Sequence, residues 1–175
     1  FGAAPPLPVI PEDLHWRRVV MIGTCYAGPI EDGEQVLRPL RASRTPLLDL
    51  VGPAPYMGFQ SALDSTVVHG WNYYWKSTHL PELHDDLIDV ITEHAFSCSS
   101  PRSYVAMFHL KGAVSRVAQG GTAFGNRQVS HAITLDGVWR PGEDFGDHDT
   151  AWARAFFAAL GRFRQGVYVN FLGGD

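Results

Sequence analysis

Two β-rich runs, Tyr104–Leu110 and Arg127–Leu135, follow one another with no amphipathic helix between them. Consecutive parallel strands need a crossover of a dozen or more residues, usually a helix, whereas antiparallel strands do not. This pair turns the chain away from a doubly wound parallel fold and towards an α+β one. Two further runs read as strands: Arg18–Tyr26 (RVVMIGTCY), placed centrally, and Asn72–Thr78 (NYYWKST), with rings on both faces. A last strand is expected at Val167–Leu172, introduced by Gly166.

The helices alternate with these runs. Pro81–Phe96 carries Leu83, Leu87, Val90 and Ile91 at helical spacing, with Pro81 suited to a first turn. Thr150–Leu160 places Trp152, Phe156 and Leu160 on one stripe. Glu31–Ala42 has acids at its start and arginines near its end, as the helix dipole favours. Tyr56–Leu63 reads as a short helix, and the proline-containing stretch from Pro46 to Pro55 as an irregular connection. The predicted architecture is an antiparallel or mixed β-sheet with helices covering one face and the other face free to meet something else. Residues 1–16, rich in Ala and Pro, read as an arm or linker; residues 17–175 form the domain. The start at Phe1 and the Gly173-Gly174-Asp175 end suggest a piece of a longer protein.

Several function classes drop out. The formal charge is -4 with no dense Lys/Arg stretch, so nucleic-acid binding has no electrostatic footprint. No apolar run is long enough for a membrane span. Eight histidines form no HxH, HxxxH or HExxH pattern, so no metal site is expected. Neither GxGxxG nor GxxxxGK[ST] occurs, and GxSxG is missing, which removes phosphate-cradling loops and a serine nucleophile elbow. Two cysteines, Cys25 and Cys98, without CxxC spacing read as buried thiols in a reducing compartment. A cytoplasmic location is expected, with secretion as the alternative.

Strand alternation places Trp71, Tyr73 and Trp75 on one face and Asn72, Tyr74 and Lys76 on the other. It likewise groups Tyr168 with Asn170, away from Val169 and Phe171. A face bearing Tyr, Asn and Lys is polar for a core and suits a ligand; the plainer reading is that the tyrosines pack with their hydroxyls at the rim.

Five blocks, in order, resemble the substrate domain and C-terminal motif of the berberine-bridge-enzyme-like FAD oxidases of the vanillyl-alcohol-oxidase superfamily, in the style of the bacterial 6-hydroxynicotine-oxidase-type enzymes. They are Gly28–Leu40 (GPIEDGEQVLRPL), Pro55–Leu63 (PYMGFQSAL), Tyr73–Leu83 (YYWKSTHLPEL), Thr122–Arg127 (TAFGNR), and Trp152-Ala153-Arg154 with Gly166–Leu172 (GVYVNFL). The resemblance implies an FAD-dependent oxidoreductase in which an N-terminal domain, absent here, binds most of the FAD. The sheet of this chain would roof the flavin ring and the substrate. Hydride would pass from a C–O or C–N carbon to the flavin, with a base taking the accompanying proton.

The resemblance makes Asn170 the cofactor-proximal residue. Many members of the family end this motif Asn-Tyr, the tyrosine acting as base; here Phe171 stands in that place and takes no proton. Tyr168 and Tyr74 are the candidate bases, with Lys76 and Phe171 lining the substrate. Amine oxidation would need no strong base. Arg127 is expected to brace a strand through a salt bridge. The partners implied are a small-molecule substrate and the FAD-binding domain of the same protein; an uncovered sheet face would also favour a homodimer. The competing reading is a stand-alone α+β binding module, or a degenerate partner subunit without flavin.

Overall fold

In the computed structural model, which describes residues 1–172, the elements run in chain order. They are β1 (Gly2–Ala3), β2 (Arg18–Val19), α1 (Ile30–Ser43), α2 (Tyr56–Gln60), β3 (Asn72–Leu80), α3 (Asp85–His94), β4 (Tyr104–His109), α4 (Ala113–Arg116), β5 (His131–Trp139) and α5 (Gly146–Ala159). Residues 173–175, including the Gly173-Gly174 pair, lie outside the described residues.

The main sheet has the order β3-β5-β4, and both pairings are antiparallel. Its register sets Lys76 opposite Leu135 and Leu135 opposite Val105, so these three side chains share a face. That face is the core. Leu80, Val105, Ile133 and Leu135 meet Leu87 and Ile91 of α3 and Trp152, Ala153 and Phe156 of α5. Phe156 is fully buried and stacks on His94 with 5.2 Å between centroids, while Trp152 Nε1 donates to the His94 carbonyl at 2.9 Å. Burying each such aliphatic or aromatic side chain contributes on the order of 1.5–3 kcal/mol before chain entropy is counted. The α+β sheet with helices on one face is therefore the observed architecture, and α3 and α5 are the covering helices.

Local differences from the sequence reading have physical causes. Arg18–Tyr26 is not a central strand: only Arg18 and Val19 pair, with Gly2 and Ala3. Val20, Met21 and Ile22 beyond them are exposed. The run has the composition of a strand but no partner of matching length. α3 begins at Asp85 instead of Pro81, because the Pro81 carbonyl accepts from Ser130 N at 3.1 Å and holds the preceding residues extended. β5 starts at His131 and continues to Trp139. Residues 127–130 before it serve the loop: the buried Arg127 donates to the Val114 carbonyl at 3.1 Å and to Thr122 Oγ1, so it braces loop atoms instead of a carboxylate. Cys98 is buried, but Cys25 is exposed.

The Pro-rich start folds back on the body. Val105 N donates to the Phe1 carbonyl and Ala4 N to the Arg17 carbonyl. An Arg18 guanidinium N–H reaches the Cys98 carbonyl at 2.7 Å. Residues 20–68 behave differently. Within this stretch α1 buries only Gly33, packed against the Tyr26 ring. Ile22, Leu47, Leu50, Tyr56, Met57 and Leu63 are left exposed. That much uncovered apolar side chain on one stretch marks an interaction surface more than a surface meant for water.

Among the described residues, no helix is long and apolar enough to cross a membrane. Nor do three His, Cys, Asp or Glu side chains among them come together as a metal site would require.

Candidate functional site

The side chains that alternate with the core face the opposite way. On β3 these are Tyr73, Trp75, Ser77 and His79; on β5 Ala132, Thr134, Asp136 and Val138; on β4 Tyr104, Ala106 and Phe108. No described helix packs on this face in the way α3 and α5 pack on the other. Trp75 and Phe108 are exposed on it and Tyr73, Tyr104, Ala106 and Asp136 half-buried, while Ser77, His79, Ala132, Thr134 and Val138 are buried, so the face is open only in part. An aromatic, partly apolar sheet surface facing outward is the most conspicuous candidate binding feature of the fold.

The C-terminal segment edges this face. It is not the strand expected at Val167–Leu172. Among the described residues its backbone pairs with the free edge of β3 at one point, where Gln165 N donates to the His79 carbonyl at 2.9 Å and His79 N to the Gly166 carbonyl at 3.0 Å. Gly166 then adopts φ +71°, a left-handed conformation that suits glycine, and the backbone leaves the edge. A 3-10 turn at Val169–Phe171 follows.

That turn gathers three of the expected site residues. Asn170 Nδ2 donates to the Tyr168 hydroxyl at 2.8 Å. The Tyr168 ring meets Phe171 edge-on at 5.6 Å and Phe124 at 5.9 Å. Phe124 in turn stands edge-on to the buried His79 at 6.0 Å, and Trp75 Nε1 donates to the Phe171 carbonyl at 3.2 Å. Tyr168, Asn170 and Phe171 thus form one cluster with Trp75 and His79 of the open face. Burial holds the His79 imidazole below its ordinary pKa, favouring the neutral ring.

Tyr74 and Lys76 go elsewhere. Both lie on the helix-covered face: Tyr74 packs against the core, and its hydroxyl accepts from Arg154 Nε of α5 at 2.9 Å. The Lys76 ammonium sits 5.6 Å from the Tyr74 ring and 6.0 Å from that of Phe157. The alternation read from the sequence is the observed one, but the sheet separates this pair from Tyr168 and Asn170. Lys76 and Phe171 meet only around the free edge of β3, where a cleft of about 380 Å³ is lined by Trp75, Lys76, Thr78, Phe157, Arg164 and Phe171 among others.

The sequence reading missed Asp136. It occupies the middle of the open face, directly between Trp75 on β3 and Tyr104 on β4. Thr134 Oγ1 donates to its Oδ2 at 2.6 Å. Burial pushes the Asp136 carboxyl up to about 6, against the smaller opposing pull of that hydrogen bond. The Tyr104 hydroxyl is held above its ordinary range, first by burial and then by the neighbouring Asp136 charge. A lone acid inside a β-rich run is the signal that would have found it, since alternation with Thr134 sets both on one face.

The residues present suit the planar part of a flavin better than its phosphates. A flat face with exposed rings and an adjacent Asn amide can cover a heteroaromatic ring, whereas no glycine-rich loop opens a long helix in the way a diphosphate site does.

No protein-family model matches the chain. Over 121 residues, 68% of the chain, it is 23% identical to an FAD-linked oxidoreductase of Dictyostelium discoideum, and spans 27% of that protein. Its fold is similar to that of a berberine-bridge-enzyme-like protein of Arabidopsis thaliana, with a TM-score of 0.59 and 16% identity. That match covers 85% of this chain and 35% of the Arabidopsis one. It is also similar to GilR, an oxidoreductase described as catalysing the terminal step of gilvocarcin biosynthesis. There the TM-score is 0.62 and the identity 19%, over 82% of this chain and 33% of the other. The chain therefore spans about a quarter to a third of the length of these relatives. In fold, and over 121 residues in sequence, the chain is similar to one part of the berberine-bridge-enzyme-like FAD-linked oxidoreductases.

Proposed function

We propose that this chain is the substrate-binding part of an FAD-dependent oxidoreductase that takes a hydride from a carbon bearing oxygen or nitrogen. The observation that carries the reading is the open aromatic sheet face, edged by Tyr168, Asn170 and Phe171, in a fold shared with FAD-linked oxidoreductases. When bound, FAD supplies the hydride acceptor. The part left to this chain is to hold the substrate flat against the ring, exclude water with Trp75 and Phe108, and receive a proton. Phe171 cannot receive one, Tyr74 lies on the covered face, and burial raises the Tyr73 and Tyr104 hydroxyls and encloses His79, which leaves Tyr168 and Asp136 on the open side.

The exposed apolar residues between Ile22 and Leu63 support an FAD-binding domain of the same protein as the body that covers this part. Self-association through the same surface is the second way to cover it, and is the one a stand-alone binding module would use.

The protein with its complete natural chain is expected to purify yellow, with FAD released on denaturation. A correctly folded, colourless complete protein would overturn the reading in favour of the binding module. In the yellow protein, Asn170→Ala is expected to slow flavin reduction about tenfold or more, equivalent to ~1.4 kcal/mol. Its melting temperature should hardly change, because Asn170 is exposed and its one side-chain bond runs to Tyr168 within the same turn. A large fall in melting temperature with unchanged turnover would make the residue structural.

A further inference from the structure

The open face holds a carboxylate with no counter-ion. Asp136 receives the Thr134 hydroxyl, and among the described residues no Lys, Arg or His forms an ion pair with it. The groups on its face are Thr134 from its own strand, Trp75 and Tyr73 from β3, and Tyr104 from β4. Directly opposed residues of antiparallel strands bring their Cβ atoms to roughly 4.5–5.5 Å, so Trp75 and Tyr104 leave the backbone on either side of Asp136. The Tyr104 hydroxyl feels the Asp136 charge, and the Trp75 indole runs on to the Phe171 carbonyl.

A partly buried carboxylate without a cation is expensive, and a well-ordered sheet centre would carry an apolar or hydroxyl side chain there at lower cost. Its neighbours make the cost intelligible. Trp and Tyr faces attract a positive nitrogen, and the carboxylate adds the full charge that such rings lack. The other acids of the fold that reach the interior are satisfied by the protein: Asp149 by backbone and serine donors, Glu143 by Arg102. Asp136 is left for something that arrives.

We propose that the open face binds a ligand carrying a positively charged nitrogen, with the charge on Asp136 and the apolar body against Trp75 and Tyr104. This rests on the reading of that face as the substrate side and narrows the substrate to a cationic amine class.

The test uses two probes of similar shape, benzyltrimethylammonium and benzyl alcohol, titrated calorimetrically into the complete protein. Because the ammonium probe has no N–H, hydrogen bonding cannot mimic the charge effect. It is expected to bind at least about tenfold more tightly than the alcohol, and Asp136→Asn to abolish that preference. Trp75→Leu is expected to weaken the cation several-fold while leaving Asp136 in place. Lowering the pH through about 6 should weaken the cation in the parent protein and not in Asp136→Asn, since protonation removes the charge. Equal affinity for the two probes, or a preference that survives Asp136→Asn, overturns the proposal. Flavin content is measured on the same samples. A yellow protein without the preference loses this inference alone, and a colourless protein that keeps it loses only the flavin reading.

Discussion

Asp149→Ala is expected to destabilise the fold by ~3–5 kcal/mol, the cost typical of removing one member of a buried charged hydrogen-bond network. Asp149 lies in the first turn of α5 and has no solvent exposure. Its Oδ1 accepts from Ser99 N at 2.7 Å and its Oδ2 from Ser100 N at 3.1 Å and from the Ser103 hydroxyl. Ser100 and Ser103 are equally buried; the Ser100 hydroxyl donates to the Val138 carbonyl, and the Ser103 hydroxyl oxygen accepts from Val138 N of the sheet. One carboxylate thus joins α5, the turn after α3 and the central strand. Alanine would leave two N–H donors without their acceptor, that of Ser100 fully buried.

Asp149→Asn retains the shape but offers one acceptor oxygen and turns an NH₂ group towards donors, so a cost of about 2 kcal/mol is expected. Urea unfolding measures both variants, with an unchanged m-value as the sign that only stability moved. An Asp149→Ala loss below about 1 kcal/mol would mean that the serines and backbone find other partners.

The helix faces and the strand alternation were legible because they are periodic. Leu87 and Ile91, Trp152 and Phe156 lie where the spacing put them. What alternation cannot say is which face of a strand a helix will cover. Tyr74 and Lys76 were correctly grouped, yet their face is the one beneath α5. Ends were legible only where a breaker acts locally. Gly28-Pro29 stops a run visibly, but Arg18–Tyr26 stops pairing after Val19 because its partner, β1, is two residues long. Strand propensity describes fitness for a pleated, half-buried surface and does not guarantee a neighbour. Asp136 was lost to such an end: a strand drawn to Leu135 stops one residue short of the acid at the centre of the open face. The Tyr168-Asn170-Phe171 cluster was legible as a motif but not as a shape, since Gly166 turns it from strand into 3-10 turn.

That acid carries the second large expectation, and its sign is opposite to the first. Asp136→Asn is expected to stabilise the protein at neutral pH by about 2 kcal/mol. An ordinary aspartate titrates near 3.9, and Asp136 is pushed up to about 6 in the fold by burial. Between these values the folded state holds a proton that the unfolded chain has released, so stability falls as pH rises. Below about 4 the group is protonated in both states and costs nothing; above about 6 the full cost of the buried charge is present. Each unit of difference is worth ~1.4 kcal/mol, reduced here because the side chain keeps some contact with solvent. Asparagine keeps the volume and an acceptor for the Thr134 hydroxyl but has no charge to bury. The parent protein should lose stability from pH 4 to 6 in urea titrations, and Asp136→Asn should remove that part of the slope while matching the parent near pH 4. Coincident pH profiles for the two would mean that the carboxylate is already well solvated on the open face. A carboxylate that weakens its own fold is kept only where its charge has a use, and such trade-offs of stability for activity concentrate at binding and catalytic sites.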